Sequence, residues 1–564
     1  MTSANAGKAA SLGQSLTPKL LTTFREGYSL HSLQRDVVAG LTVAIVALPL
    51  SLALAIASGA TPDKGLTTAI IAGFLISMFG GSRVQIGGPT GAFVVVVFNV
   101  IALHGYDGLL LATALAGLIL VVAGLLRLGT WVKYIPQPVV TGFTAGIALV
   151  IFSSQVRDLL GLQMASVPAD FIEKWIAYAR ALPSLDVAAT AIALGSLGLI
   201  LLLRRFAPRL PGFLIAVAAG SLAAWAFTLD IETIGSRFGE LPRTLPMPAM
   251  PELTWLKVKA VLPSAFTIAF LAGIESLLSA VIADGMTGRR HRSNAELVAQ
   301  GIANFASSLF GGMPATGAIA RTATNVRAGA QSPVAGMMHA VFLLLFMFLL
   351  GKLIAHIPLA TLAAVLVIVA WNMSEIDHIR HFMRAPVGER VILILTFALT
   401  VLVDLTVAIG VGVVLAAVMF MHQMAVVSAL RHKVSIDEQD DTATDTAVKR
   451  ADLPAGVELF ELRGPLFFGV AEHLIDILQR TGPRPHAYVI NLRDVPLVDA
   501  TGAKTLSDFV ERCARHRIAV FLVGLKPQVA ASLREMHTLP RQNATATDSL
   551  DEAIRLAGEL SAKS

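Results

Sequence analysis

The chain has 564 residues, 55% of them hydrophobic and only 15% charged, and its mean hydropathy is +0.70. A soluble protein of this length carries far more charge and a disordered one far less apolar residue, so both classes are excluded. The charge is also segregated: residues 431–564 hold 17 Lys+Arg and 19 Asp+Glu, leaving 27 and 19 for the first 430 residues. This division predicts a membrane domain joined to a soluble one.

The surplus of basic residues lies between apolar segments and not along one face, which excludes nucleic acid as the partner despite a pI near 9.5. One cysteine, Cys513, allows no internal disulfide and no cysteine-based metal site. Gly7-Lys8 and Gly351-Lys352 are followed by Ala9 and Leu353, so no phosphate-binding Gly-Lys-Ser/Thr loop is present, and HExxH is absent as well. No enzyme chemistry is indicated. The first 30 residues lack the pattern of a cleaved signal peptide, so the first apolar segment is expected to direct membrane insertion.

Apolar runs able to cross a bilayer, or half of one, are predicted near 37–57, 66–80, 90–103, 108–126, 138–157, 186–203, 211–228, 259–284, 294–310, 316–326, 333–350, 358–372, 391–407 and 409–425. The third and the tenth of these fourteen are short and interrupted by Gly and Pro. An even number of crossings puts both termini on one side, and basic loops mark the cytoplasm. The loops expected inside carry Arg83; Arg127 and Lys133; Arg204, Arg205 and Arg209; Arg289, Arg290 and Arg292; Arg327; and Arg380, Arg384 and Arg390. Those expected outside are poorer or mixed, including 158–185 and 229–257.

Phe79-Gly80-Gly81 ends the second segment and Phe310-Gly311-Gly312 the ninth. Each is followed by a Pro/Thr/Gly cluster, Gly87-Gly88-Pro89-Thr90-Gly91-Ala92 and Met313-Pro314-Ala315-Thr316-Gly317-Ala318. An odd spacing of seven segments makes the halves inverted repeats, and short broken helices at matching positions mark a transporter's binding site. If Thr90 and Thr316 begin two opposed half-helices, their free N–H groups and positive dipole ends converge on an anion. Glycine lets the ligand approach the main chain, and the threonine hydroxyls add donors.

Glu275 lies well inside the eighth segment, where an ionisable group is costly and usually functional. Ser279 is one turn further on the same face. Two readings stay open for Glu275: a proton-coupling carboxylate, or a structural partner for Arg321 in the tenth segment. Arg321 itself either adds field to the anion site or braces its half-helix. Asp284 reads as a solvated helix end and Asp404 as a turn. No metal site is expected.

After residue 430 the pattern is α/β. Strands are expected at Val457–Leu462, Ala487–Leu492 and Ile518–Val523, with helices near 470–480, 502–516, 528–537 and 549–560, and an acidic linker at Asp437–Asp445.

Over residues 30–560 the sequence resembles the SulP anion permease family. The resemblance rests on Ala39-Gly40-Leu41-Thr42 with Leu48-Pro49, on Gly88-Pro89-Thr90, on the Arg289–Asn304 stretch, on Phe310-Gly311-Gly312 with Ala320-Arg321-Thr322, and on a carboxy-terminal domain that looks like STAS. Ile274-Glu275-Ser276-Leu277-Leu278, Asp284-Gly285-Met286-Thr287-Gly288 and Trp371-Asn372-Met373-Ser374-Glu375 are similar to proton-coupled four-carbon dicarboxylate carriers of the DauA type.

The resemblance implies a polytopic α-helical membrane protein of fourteen segments, arranged as seven-plus-seven inverted repeats with core and gate domains, plus a cytoplasmic α/β STAS domain. Its expected divisions are an amino-terminal cytoplasmic segment (1–30), the transporter domain (31–430), a linker (431–450) and STAS (451–564). It further implies a homodimer in the bacterial inner membrane, working by an elevator-like movement, with both termini cytoplasmic. The resemblance places the small anionic substrate against Thr90, Gly91, Ala92, Gly317 and Ala318 with Glu275 as the coupling group; the residue reading above adds Thr316 and Arg321 to the substrate site and Ser279 to the coupling group. No cofactor is implied beyond a coupling proton.

Bicarbonate carriers of the family place Asp and Thr where this chain has Glu275 and Ser279, and bind sodium there; the longer Glu favours protons. Many sulfate carriers have Gln where this chain has Leu50 or Ser51. In the STAS loop Asp499-Ala500-Thr501-Gly502, Ala500 occupies the position that related proteins phosphorylate, and Thr501 reads as a helix N-cap. A cytoplasmic regulator of this domain is the partner implied. The substrate is thus expected to be succinate or fumarate, with sulfate or bicarbonate as alternatives. An anion channel and a STAS-coupled sensor are the rivals of another class.

Overall fold

The computed structural model describes residues 16–130, 136–164, 167–168, 170–208, 210–240, 242–403, 405–427, 430–432, 453–466, 485–535, 539 and 543–561. Asp404, Lys133, Arg209, the expected acidic linker and the expected helix at 470–480 lie outside these. Two compact units divide between Val414 and Leu415.

The first unit is helical: α1 (Lys19–Arg25), α2 (Leu30–Ala57), α3 (Pro62–Phe79), α4 (Val94–Leu125), α5 (Gln137–Leu160), α6 (Phe171–Ala181), α7 (Val187–Phe206), α8 (Gly212–Ala226), α9 (Ile234–Phe238), α10 (Trp255–Thr287), α11 (Ser293–Leu309), α12 (Ile319–Arg327), α13 (Val334–Ile354), α14 (Leu359–Met373), α15 (Ile376–Phe382) and α16 (Val387–Leu402). Helix α17 (Leu405–Val427) runs across the division between the units. Between helices lie two two-residue strands, β1 (Gly87–Gly88) and β2 (Thr316–Gly317).

Every expected apolar segment contains a helix. The third and fourth merge into α4 but are separated by Gly105 at φ 70° and ψ 179°, a backbone geometry open to glycine and broken out of the helix. Among the described residues, seven helices are long and apolar enough to cross a membrane unaided. The remaining segments include shorter pieces, α12 being only nine residues long. Local chemistry sets several boundaries. Ser29 accepts from the Ser32 N–H at 3.1 Å to cap α2, Asp186 caps α7, and Pro62 opens α3 where a missing N–H does no harm.

Packing divides the unit in two. Helix α11 lies along α4, α10 along α4, and α13 along α2 and α3, forming a core group; α5 packs with α14, α16 and α7, and α7 with α8, forming a gate group. In hydrocarbon, helices associate through small residues that let backbones close up. At the α4–α11 contact, a Cβ on Gly117 would sit 2.7 Å from the Gly301 carbonyl oxygen, so neither position has room for a side chain.

The second unit carries strands β3 (Leu430–His432), β4 (Val457–Arg463), β5 (Ala487–Asp494), β6 (Ala519–Val523) and β7 (Ala544–Thr547) in that spatial order. β4 to β7 are parallel and β3 pairs antiparallel on the edge. Both sheet faces are covered, which explains the unbroken apolar runs of β5 and β6. Phe460, Tyr488 and Ile490 pack beneath α18 (Ala500–Arg515) and α19 (Pro527–Glu535) through Leu506, Phe509 and Leu533. Val457, Val489 and Phe521 meet α20 (Leu550–Ser561) on the opposite face. The expectation for Thr501 is corrected here: the N-cap of α18 is Asp499, whose carboxylate accepts from the Gly502 N–H at 2.7 Å, while Thr501 is an exposed first-turn residue. Asp499, one residue before the helix, places a carboxylate oxygen within reach of that donor, whereas Thr501 is already inside the first turn.

Cys513 is 1% exposed under this sheet, and burial pushes its thiol up to about 12. The thiolate is the reactive form. Alkylation at pH 8 is therefore expected to be at least about ten-fold slower in the folded protein than in denaturant, as mass spectrometry of iodoacetamide-treated chain measures.

Candidate functional site

The two Pro/Thr/Gly clusters meet inside the first unit. β1 and β2 form an antiparallel ladder, Gly87 opposite Gly317 and Gly88 opposite Thr316, and the Ala318 N–H donates to the Ile86 carbonyl at 2.8 Å. Interrupted backbone within an apolar bundle must find partners, and the two interruptions partner each other. Each strand then feeds a helix. Thr90 precedes a 3-10 turn, Gly91–Phe93, that leads into α4, and Ala318 is the N-cap of α12. The leading N–H groups of both helices lack intrahelical acceptors and are the positive ends of two dipoles.

Three side chains complete the centre. The Thr90 hydroxyl donates to Glu275 Oε2 at 2.8 Å, joining the first helix start to α10. Glu275 is half-buried, whereas its neighbours Ile274 and Ser276 are buried. Arg321, 2% exposed, donates from Nη2 to the Pro89 carbonyl at 3.0 Å and to Ser51 Oγ at 3.4 Å. Its Nη1 lies over the bare face of Gly88, where a Cβ would approach to 2.5 Å, and both Nη1 and Nε are buried without a partner among the described residues. The guanidinium therefore retains donors directed into the region between the helix starts. The direct Glu275–Arg321 pair does not form. Gly91 marks the edge of the centre, since a Cβ there would meet Met373 Sδ at the end of α14 and Ile151 of α5.

Two sequence expectations change. Thr316 does not begin the second half-helix: it lies in β2, two residues before the cap, and its hydroxyl donates to the Ala272 carbonyl at 2.9 Å. The strand pairing sets this, because Thr316 is opposite Gly88 while Thr90 lies beyond the ladder. Ser279 shares the α10 face with Glu275, but its hydroxyl donates to Thr322 Oγ1 at 3.2 Å, and Thr322 Oγ1 also accepts from the Ile86 N–H at 3.0 Å. It braces the crossing of the two repeats.

Beneath the crossing is a buried network that no motif announced. Glu296, fully buried in α11, accepts from the N–H groups of Gly81 and Ser82 at 2.9 and 3.2 Å, from Ser276 Oγ at 3.1 Å and from Gln300 Nε2 at 3.0 Å. Gln85 Nε2 donates to Ser276 Oγ at 3.0 Å, and the Asn304 amide clasps both backbone groups of Ala315 at 2.8 Å. A carboxylate inside an apolar helix was the available signal for Glu296, as it was for Glu275. His339 is also buried, with both ring nitrogens unpartnered among the described residues. Asp284, expected to be a solvated helix end, instead holds His291 through Oδ2, which lies 2.9 Å from its backbone nitrogen and 2.7 Å from Nδ1.

The sulfate permease family matches residues 33–396, and the STAS domain matches residues 450–553. The chain belongs to the sulfate permease family. YvdB of Bacillus subtilis, named as a sulfate transporter, is 41% identical over 505 residues, covering 89% of this chain and 93% of that protein. The bicarbonate transporter BicA of Picosynechococcus is 31% identical over 524 residues, 91% of this chain and 92% of that one. Among solved structures, the transmembrane domain of a cyanobacterial BicA superposes with a TM-score of 0.60 at 33% identity, covering 68% of this chain and 98% of that domain. The murine solute carrier 26 family member A9 anion transporter in its inward-facing state superposes with a TM-score of 0.85 at 18% identity, covering 97% and 95%, a likeness of fold alone. This member of the family is an anion transporter, not an enzyme, and a multi-pass membrane protein with a STAS domain.

Proposed function

We propose that the protein is a proton-coupled symporter of a four-carbon dicarboxylate, succinate or fumarate, taken up across the bacterial inner membrane. The observation that supports this most strongly is the Thr90–Glu275 hydrogen bond at the head of α4, facing the start of α12 and the buried Arg321. Two helix starts and one guanidinium favour an anion. A second negative charge at Glu275 opposes it, since like charges within a few ångströms repel strongly in a low dielectric. Protonating Glu275 removes that repulsion, so binding of the anion and of the proton favour each other. The anion and proton then travel together.

In this reading the substrate contacts Thr90, Gly91, Ala92, Gly317, Ala318 and Arg321, with Glu275 as the coupling group. Thr316 and Ser279 hold the frame. The core helices carry the site past the gate helices in an elevator-like movement within a homodimer, both termini and the STAS domain being cytoplasmic and the latter open to a regulator. Sodium is disfavoured, because the Ser279 hydroxyl is already directed at Thr322. The names of YvdB and BicA support a second reading, sulfate or bicarbonate on the same frame.

Competition for labelled fumarate uptake in proteoliposomes separates these. Excess unlabelled succinate is expected to abolish uptake, with sulfate, bicarbonate and chloride far weaker; sulfate or bicarbonate competing better than succinate overturns the dicarboxylate assignment. Single substitutions test the two threonines. Thr90→Val removes a donor from the centre and is expected to weaken fumarate binding about ten-fold, roughly one hydrogen bond to a charged group. Thr316→Val removes a brace and is expected to lower the melting temperature with affinity changed by less than about three-fold. The reverse assignment of effects moves the site.

A further inference from the structure

A second concentration of positive charge lies at the far end of α2 from Asp36. A cavity of about 320 Å³ opens there, lined by Phe98, Gln155, Arg157, Asp158, Lys174 and Arg237 together with an apolar wall that includes Val94 and Val95 of α4. Arg237 donates to both Asp158 carboxylate oxygens, at 2.8 and 3.3 Å, and also contacts Glu232. Asp158 is thus paired with Arg237. Lys174 is different. It is 4% exposed, and among the described residues its ammonium has no carboxylate or carbonyl acceptor; only the Phe98 ring lies beneath Nζ, 5.8 Å to the centroid.

Burying an ammonium without an acceptor is unfavourable, and burial pulls Lys174 below the ordinary lysine range, with Asp170 acting in the opposite sense. Among the described residues, Arg157 and Arg237 each keep a buried, unpartnered Nε at the same cavity. The cavity lining itself holds three cations and one carboxylate, Asp158, while the exposed Glu232 and Asp170 lie outside it, so the lining is electropositive. Cations focused within low-dielectric walls raise the local concentration of an anion.

The location gives this charge a direction. Val94 lies four residues after Thr90, across the 3-10 turn Gly91–Phe93, so on the order of 8 Å along the chain separates this wall of the chamber from Thr90. The walls are mostly apolar, including Ile56, Val150 and Phe238, and the volume exceeds what a bare inorganic anion needs. A carbon backbone ending in a carboxylate matches both surfaces.

We infer that this chamber is a second anion site, at which Lys174, flanked by Arg157 and Arg237, receives the carboxylate of a small organic acid before it passes to the central site. The inference rests on the transport reading above, and its test keeps the two apart. Labelled succinate is titrated onto purified full-length protein in lipid nanodiscs, for wild type and for Thr90→Val/Arg321→Met, which removes two donors from the central site. The double variant is expected to retain weaker succinate binding, and adding Lys174→Met to reduce that residual affinity at least ten-fold. Adding Lys174→Arg, which keeps the charge, preserves it.

Residual binding that Lys174→Met leaves unchanged overturns the chamber site, as does a double variant that binds no succinate. Residual binding of labelled sulfate but not of succinate overturns the carboxylate class. A double variant as tight as wild type refutes the central site instead, while the Lys174 comparison still decides the chamber. If Lys174→Met melts early, Lys174→Gln against Lys174→Arg carries the same contrast.

Discussion

Glu275→Gln protein in proteoliposomes is expected to lose accumulation driven by a pH gradient while still exchanging anion at equal pH. The amide oxygen of Gln still accepts from Thr90, so the 2.8 Å contact survives and only the titratable proton is removed. One pH unit is worth 1.36 kcal/mol per proton, so an acid-outside gradient of one unit sustains about ten-fold accumulation of a singly coupled anion. The variant is expected to equilibrate to about one-fold. The sign follows from the charge: uptake rises as the external pH falls, because the protonated carboxyl is the form that admits the anion. Retained ten-fold accumulation by Glu275→Gln removes Glu275 from the coupling step.

The second large effect belongs to Arg321. Its guanidinium is held by the Pro89 carbonyl and Ser51, and by the open face of Gly88. A charged hydrogen bond lost from a dry site is worth about 1.5–3 kcal/mol, so Arg321→Met is expected to weaken anion binding by roughly 10- to 100-fold. Gly88→Ala is expected to have a similar effect with the charge intact, because the added methyl would force the guanidinium off Gly88. Gly88 also sits at φ 153°, which a side chain rarely adopts. Equilibrium binding of labelled succinate reads both. A variant that loses stability but binds with wild-type affinity assigns Arg321 to bracing alone.

What was legible in the sequence was whatever depends on composition and local pattern. The apolar runs located the helices because hydrocarbon demands continuous apolar length, and the change in charge density announced a separate soluble domain. The paired Gly/Pro interruptions located the crossing of β1 and β2, because broken backbone in a membrane has few tolerable settings. Matching Thr90 to Thr316 failed for a tertiary reason: the ladder register, invisible in either cluster alone, places one threonine at a helix start and the other in a strand. Glu296 escaped notice because its meaning lies in partners contributed by Gly81, Ser82, Ser276 and Gln300, from three separate stretches of chain. Lys174 sat in a connection of mixed charge, where a lysine is ordinarily solvated. Strand β7, built from alternating Ala and Thr, carries too little hydrophobic signal to be recognised before its neighbour β6 is known.

In the proposed symport, anion and proton cross together through the Thr90–Glu275 centre. The most direct measurement is the internal pH of proteoliposomes carrying a trapped pH dye, recorded as fumarate is added outside with no pH gradient imposed and the membrane potential clamped. Symport predicts internal acidification that follows fumarate entry in wild type and disappears in Glu275→Gln. Fumarate entry without acidification in wild type contradicts it.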